Sequence, residues 1–144
     1  KNDRDSEFYR KHLRDLEYDT TRDICVDNLA AGQNVFMISP FTKELKSREW
    51  LEDVIAAAGR RREEVDVRVV VVTLNDARLQ KERIIGRGTE RDRWKLDHWQ
   101  HFEERIRFVP EIAWDLPESS ILIFDNSGPL TEEKLDRLYR FLNG

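Results

Sequence analysis

The chain has 144 residues, the length of one ordinary domain, and is read as a single domain over 1–144. Charged residues make up 38% against roughly 25% in a typical globular chain, yet 25 Lys and Arg against 29 Asp and Glu leave a net charge of -4, which argues against a surface given over to nucleic acid. No apolar stretch approaches the ~20 residues of a membrane span, Cys25 alone permits no internal disulfide or thiolate metal cage, and Lys1–Asp5 lacks the apolar region of a secretory signal, so a cytoplasmic setting is expected.

Taken in chain order, Tyr9, Leu13 and Leu16 recur at helical spacing and predict a helix over about 5–16. Asp19 or Thr20 is placed to cap a second helix through Ile24, Cys25 and Leu29, ended by Gly32; the two stretches also read as one long helix. Val35-Phe36-Met37-Ile38 is an apolar run of strand length that Pro40 stops, so a strand is predicted at 34–39. Ser47 is the N-cap of a helix to Ala58, whose stripe is Leu51, Val54, Ile55 and Ala58, and 60–64 reads as a solvated loop. Val69-Val70-Val71-Val72 is β-branched throughout and predicts a strand over about 67–74. Asn75 or Asp76 then caps a helix to Arg87, followed by Gly88.

Leu96, Trp99, Phe102 and Ile106 predict a further helix over about 91–108, ended by Pro110. Residues 110–119 read as a surface connection, 121–124 as a third strand, and Thr131 as the cap of a last helix with Glu132 and Glu133 in its first turn. Strands separated by helical segments predict an α/β fold of three layers, a parallel sheet covered by helices. Ligands of such sheets bind at the carboxyl ends of the strands, which directs attention to Ser39–Thr42, Thr73–Asn75 and Asp125–Ser127.

Charge is unevenly spread. Residues 78–95 carry seven basic side chains against three acidic ones. Arg83 and Arg87 are i, i+4 neighbours on one predicted helix, and Arg91 and Lys95 repeat the spacing on the next. Converging guanidinium groups suit bidentate contact with phosphate oxygens and can offset charge on a transferring phosphoryl group. A solvated face of Arg–Glu pairs is the plainer alternative.

The run Arg87-Gly88-Thr89-Glu90-Arg91-Asp92-Arg93-Trp94-Lys95-Leu96-Asp97-His98-Trp99-Gln100-His101-Phe102 resembles the lid of P-loop kinase-like ATP-binding proteins related to zeta toxins and small-molecule phosphotransferases. Gly32, Val35 and Pro40-Phe41-Thr42 resemble that group's strand and Pro-Phe-Thr, and Asp125-Asn126-Ser127-Gly128 its last strand and adenine loop. The likeness spans roughly 8–142, with the lid at about 83–108. It implies a P-loop NTPase fold of nucleotide-kinase type, and a phosphotransferase that uses ATP and Mg²⁺ on a small-molecule or nucleotide-like acceptor. In that reading Arg87 and Arg91 close over the outer phosphates as catalytic residues, Arg83 and Lys95 support the charge, and Asn126 and Ser127 line the adenine. A non-catalytic nucleotide- or partner-binding module of the same fold is the alternative.

The chain departs from the group in two places. It has no Gly-x-x-x-x-Gly-Lys-Ser/Thr loop, so the first strand and phosphate loop are expected to lie outside this sequence, the strand belonging between those at 34–39 and 67–73. Ile38 stands where the group carries the Asp that helps to hold Mg²⁺, and no metal ligand is assigned.

Other candidates carry less. His98 and His101 are three apart on a basic helix without a third ligand at a suitable spacing. Cys25 reads as a small buried hydrophobe, Trp99 as packing for the lid helix, and Arg14, Glu17 and Tyr18 as surface pairing on the first helix.

Overall fold

A computed structural model describes residues 7–74, 76–104 and 109–144, with the side chains of Arg10 and Arg91 outside the described set. The chain divides into two units, one comprising the chain to Asp66 with Glu111–Asp115, the other Val67–Pro110 with Leu116–Gly144.

The first unit is helical. A π-helical turn at Tyr9–Leu13 runs straight into α1, Arg14–Ala30. The one-helix reading therefore holds: the Thr20 and Thr21 hydroxyls donate to the Leu16 and Glu17 carbonyls four residues back instead of capping a new helix. Gly32, at φ 78°, takes the left-handed conformation that ends α1. Arg60 leaves its expected solvated loop, and its guanidinium donates to the Leu29 and Ala30 carbonyls at that helix end. Helix α2, Arg48–Ala57, is capped by Ser47 Oγ, which accepts from the Trp50 amide at 3.2 Å. Leu51, Val54, Ile55 and Ala58 of its stripe are buried, as are Cys25 and Leu45. Burial also pushes the Cys25 thiol up, the expected behaviour of a small apolar filler.

The second unit holds the sheet. Strand β1, Val69–Thr73, pairs in parallel with β2, Ile121–Asp125, in a register from Val69 opposite Ile121 to Thr73 opposite Asp125. Helix α3, Ala77–Arg87, starts at Asp76, whose Oδ1 accepts from the Arg78 and Leu79 amides, and ends at Gly88 with φ 60°. The predicted 91–108 helix is instead broken into a 3-10 turn at Glu90–Asp92, α4 at Arg93–Asp97 and α5 at Trp99–Glu103, and its expected end at 105–108 lies outside the described residues. Helix α6, Glu132–Asn143, is capped by Thr131 Oγ1. Val71, Thr73, Ile84 and Leu122 are the buried centre of this unit.

The expected three-layer P-loop sheet is not formed: among the described residues the sheet has two strands, β1 and β2, in a mostly helical chain. The predicted strand at 34–39 is the part that fails. Its apolar run is real, but a strand exists through its ladder, and β1 and β2 are the described strands and pair with each other. The run is irregular, with Phe36 and Ile38 exposed. The 110–119 connection is also more than a surface link, because the Ala113 amide donates to the Leu45 carbonyl within the first unit.

Candidate functional site

The basic segment folds at the carboxyl end of β1. Arg83 and Arg87 leave α3 one turn apart, and Lys95 leaves α4 beyond the Gly88 break. All three line a cleft of about 540 Å³ with Leu74, Gln80, Ile84, Gly86 and Phe102. The lining thus combines cationic and apolar side chains. Gly88 makes the reversal from α3 toward α4 possible, since its left-handed φ of 60° is costly for any residue with a Cβ.

Between the two helices sits Asp92, whose side chain is wholly covered. Its Oδ2 accepts from Thr89 Oγ1 at 2.6 Å and lies 3.1 Å from Arg87 Nη2, while Oδ1 accepts from Lys95 Nζ at 3.1 Å. Burial alone would raise the Asp92 carboxyl, but the hydrogen bonds from Thr89 and Lys95 and the charges of Lys95 and Arg87 outweigh it, so it titrates below the ordinary carboxylate range. The cations are only partly covered: the Arg87 side chain is 51% exposed and that of Lys95 27%. Lys95 also stands 5.7 Å from the Phe102 ring centroid, and Lys81 stands 5.2 Å from that of Trp99.

Of the residues expected at the site, Arg83, Arg87 and Lys95 meet in one cleft. The Arg91 side chain lies outside the described residues. Asn126 and Ser127 are at the sheet's carboxyl edge but not in the cleft lining. The Asn126 amide donates to the Thr73 carbonyl at 2.8 Å, continuing the ladder, and the Ser127 carbonyl accepts from Arg83 Nη2 at 3.5 Å. Asp125 closes the turn by accepting from the Ser127 amide at 2.9 Å. Hydrogen bonds from Ser127 keep its carboxyl low.

Sequence reasoning met Asp92 as one of three acids in a basic run and within the run that carries the resemblance, and assigned it no role. Its spacing was the available signal: Thr89 lies three residues before it, Lys95 three after, and all are on one side of a helix break. His98 and His101 border a separate hollow of about 350 Å³, where the His98 ring stacks on Trp94 at 4.8 Å. Among the described residues no three His, Cys, Asp or Glu side chains group to hold a metal. Trp99 donates from Nε1 to Glu103 at 3.1 Å and packs 5.5 Å from Phe102, within α5.

Arg14, expected as surface pairing, is largely covered. It reaches from α1 to both oxygens of buried Glu44 at 3.1 Å and stacks 4.1 Å from the Tyr18 ring centroid. Comparison of the chain with protein-family models, with curated proteins and with solved structures finds no match.

Proposed function

We propose that the cleft beside β1 binds a nucleoside polyphosphate, with ATP the first ligand to test. The observation that carries this reading is the shared lining: Arg83, Arg87 and Lys95 face the same space as Leu74, Ile84 and Phe102. Two arginines and a lysine match the charge of adjacent phosphates. The apolar residues suit the organic part of such a ligand, which a bare inorganic anion lacks. Arg87 and Lys95 take the outer phosphates, and Arg83, beside the Ser127 carbonyl, takes the side nearer the β2 turn.

ATP-dependent transfer to a small-molecule or nucleotide-like acceptor is the catalytic form of this reading. Mg²⁺ finds no ligand in Asp92, whose oxygens already accept from Thr89 and Lys95 and pair with Arg87, so no step is assigned to the metal. Binding is therefore tested first. Titration with ATP, AMP and adenosine should show Arg87→Ala and Lys95→Ala each weakening ATP about tenfold or more, as loss of a charge-assisted contact implies. The loss should shrink for AMP and vanish for adenosine, and Arg61→Ala, in an exposed loop, should change nothing. Unaltered ATP affinity in both cleft variants would return the segment to a solvated, salt-bridged helix pair.

A further inference from the structure

We infer that Asp92 is a positioning residue of this cleft, holding Arg87 and Lys95 where phosphate groups meet them, an inference that rests on the nucleotide reading above. Arg87 is the last residue of α3, Lys95 lies within α4, and Asp92 ends the 3-10 turn between them. Its carboxylate is thus the one described group bonded to both cations across the Gly88–Thr89 break. The two oxygens divide the work: Oδ1 holds Lys95 and Oδ2 holds Arg87 together with Thr89.

Two physical effects follow. Like charges brought close repel, and a carboxylate between them offsets that repulsion before any ligand arrives. Lys and Arg also carry much rotamer entropy, and a cation already held to one geometry loses less of it on meeting a phosphate. A buried pair serving stability alone needs no exposed partner. Here the acid is fully covered while Arg87 is half exposed and both cations line the cleft.

The sign of one measurement separates positioning from plain electrostatics. Asp92→Asn removes a negative charge beside the cleft, so charge alone makes ATP bind more tightly. Positioning makes it bind about tenfold more weakly. The same substitution in an Arg87→Ala/Lys95→Ala background should then have no effect, because the cations it acts through are gone, whereas a general structural defect would persist. Thr89→Val leaves the charge but frees Oδ2 from one donor, and should weaken ATP about two- to threefold. It decides the matter if Asp92→Asn does not fold, an unchanged affinity then overturning the inference. If Arg87→Ala/Lys95→Ala loses ATP while Asp92→Asn binds as tightly as the wild type or more so, the nucleotide reading stands and the positioning role falls. If the double variant keeps full ATP affinity, or the wild type binds none, both fall.

Discussion

Glu44 in the first unit and Asp92 in the second are both buried carboxylates held by arginine, yet their partners are treated oppositely. Glu44 and Arg14 are covered together, at 7% and 13% side-chain exposure, and the Arg14 guanidinium is sandwiched further against Tyr18. Asp92 is covered more completely than Glu44, but its partners reach out of the cover into a cleft. A closed pair can only hold its surroundings together. An acid whose cations remain accessible can in addition set where those cations stand, and this is why the two look alike in composition but differ in chemistry.

The comparison breaks most visibly in stability. Glu44→Ala leaves the covered Arg14 guanidinium with exposed Asp15, 3.0 Å from its Nη1, as its remaining carboxylate partner and should cost about 3 kcal/mol, the lower end of the usual loss when one partner of a buried pair is removed. Arg14→Met with Glu44→Leu removes both charges and should recover most of that loss. Denaturant unfolding of the three proteins checks it, and a single-variant loss under ~1 kcal/mol would make the pair no different from a surface bridge. Trp114→Ala comes next, at about 3 kcal/mol. Its ring stacks on Trp50 at 5.7 Å, and Nε1 donates to the Glu44 and Ser47 carbonyls at 2.9 and 3.0 Å, tying the 111–115 segment to the turn that carries Glu44. Trp114→Phe keeps the stack, leaves the carbonyls without that donor and should cost about 1 kcal/mol.

How far these features were legible depended on whether they were local. Helix starts were written in single residues: Ser47, Asp76 and Thr131 each accept from an amide of the first helical turn. The β-branched run at 69–72 needed no partner to be identified, and both β1 and β2 lie where apolar runs put them. The run at 35–38 has the same local pattern and fails because pairing is a property of two segments. The site divides similarly. The i, i+4 spacing of Arg83 and Arg87 was plain, and their meeting with Lys95 followed from a helix break that Gly88 signals. The Arg14–Glu44 pair joins residues 30 apart in sequence and the Trp114 contacts about 70, separations at which periodicity carries no information.

The smallest expected effect sharpens the comparison from the Asp92 side, through pH. Its carboxyl is held below the ordinary range by Thr89, Lys95 and Arg87 despite burial. An acid with a folded-state pKa below its unfolded value of about 3.9 adds stability above that value, and the contribution disappears as pH falls through the folded-state pKa. At neutral pH the wild type should therefore be more stable than Asp92→Asn, and the gap should close on acidification below about pH 4. Arg87→Ala weakens one of the interactions that keep the carboxyl low, but Lys95 and Thr89 remain, so its gap should be smaller and close over the same range. Arg61→Ala, whose partners Glu63 and Glu64 sit on a solvated turn, should follow the wild-type curve within about 0.5 kcal/mol. Unfolding free energies of the four proteins between neutral and acidic pH provide the test. A wild-type and Asp92→Asn difference that does not change with pH would mean that the carboxylate's charge contributes nothing, and that Asp92 holds the α3–α4 break by shape and hydrogen bonding alone.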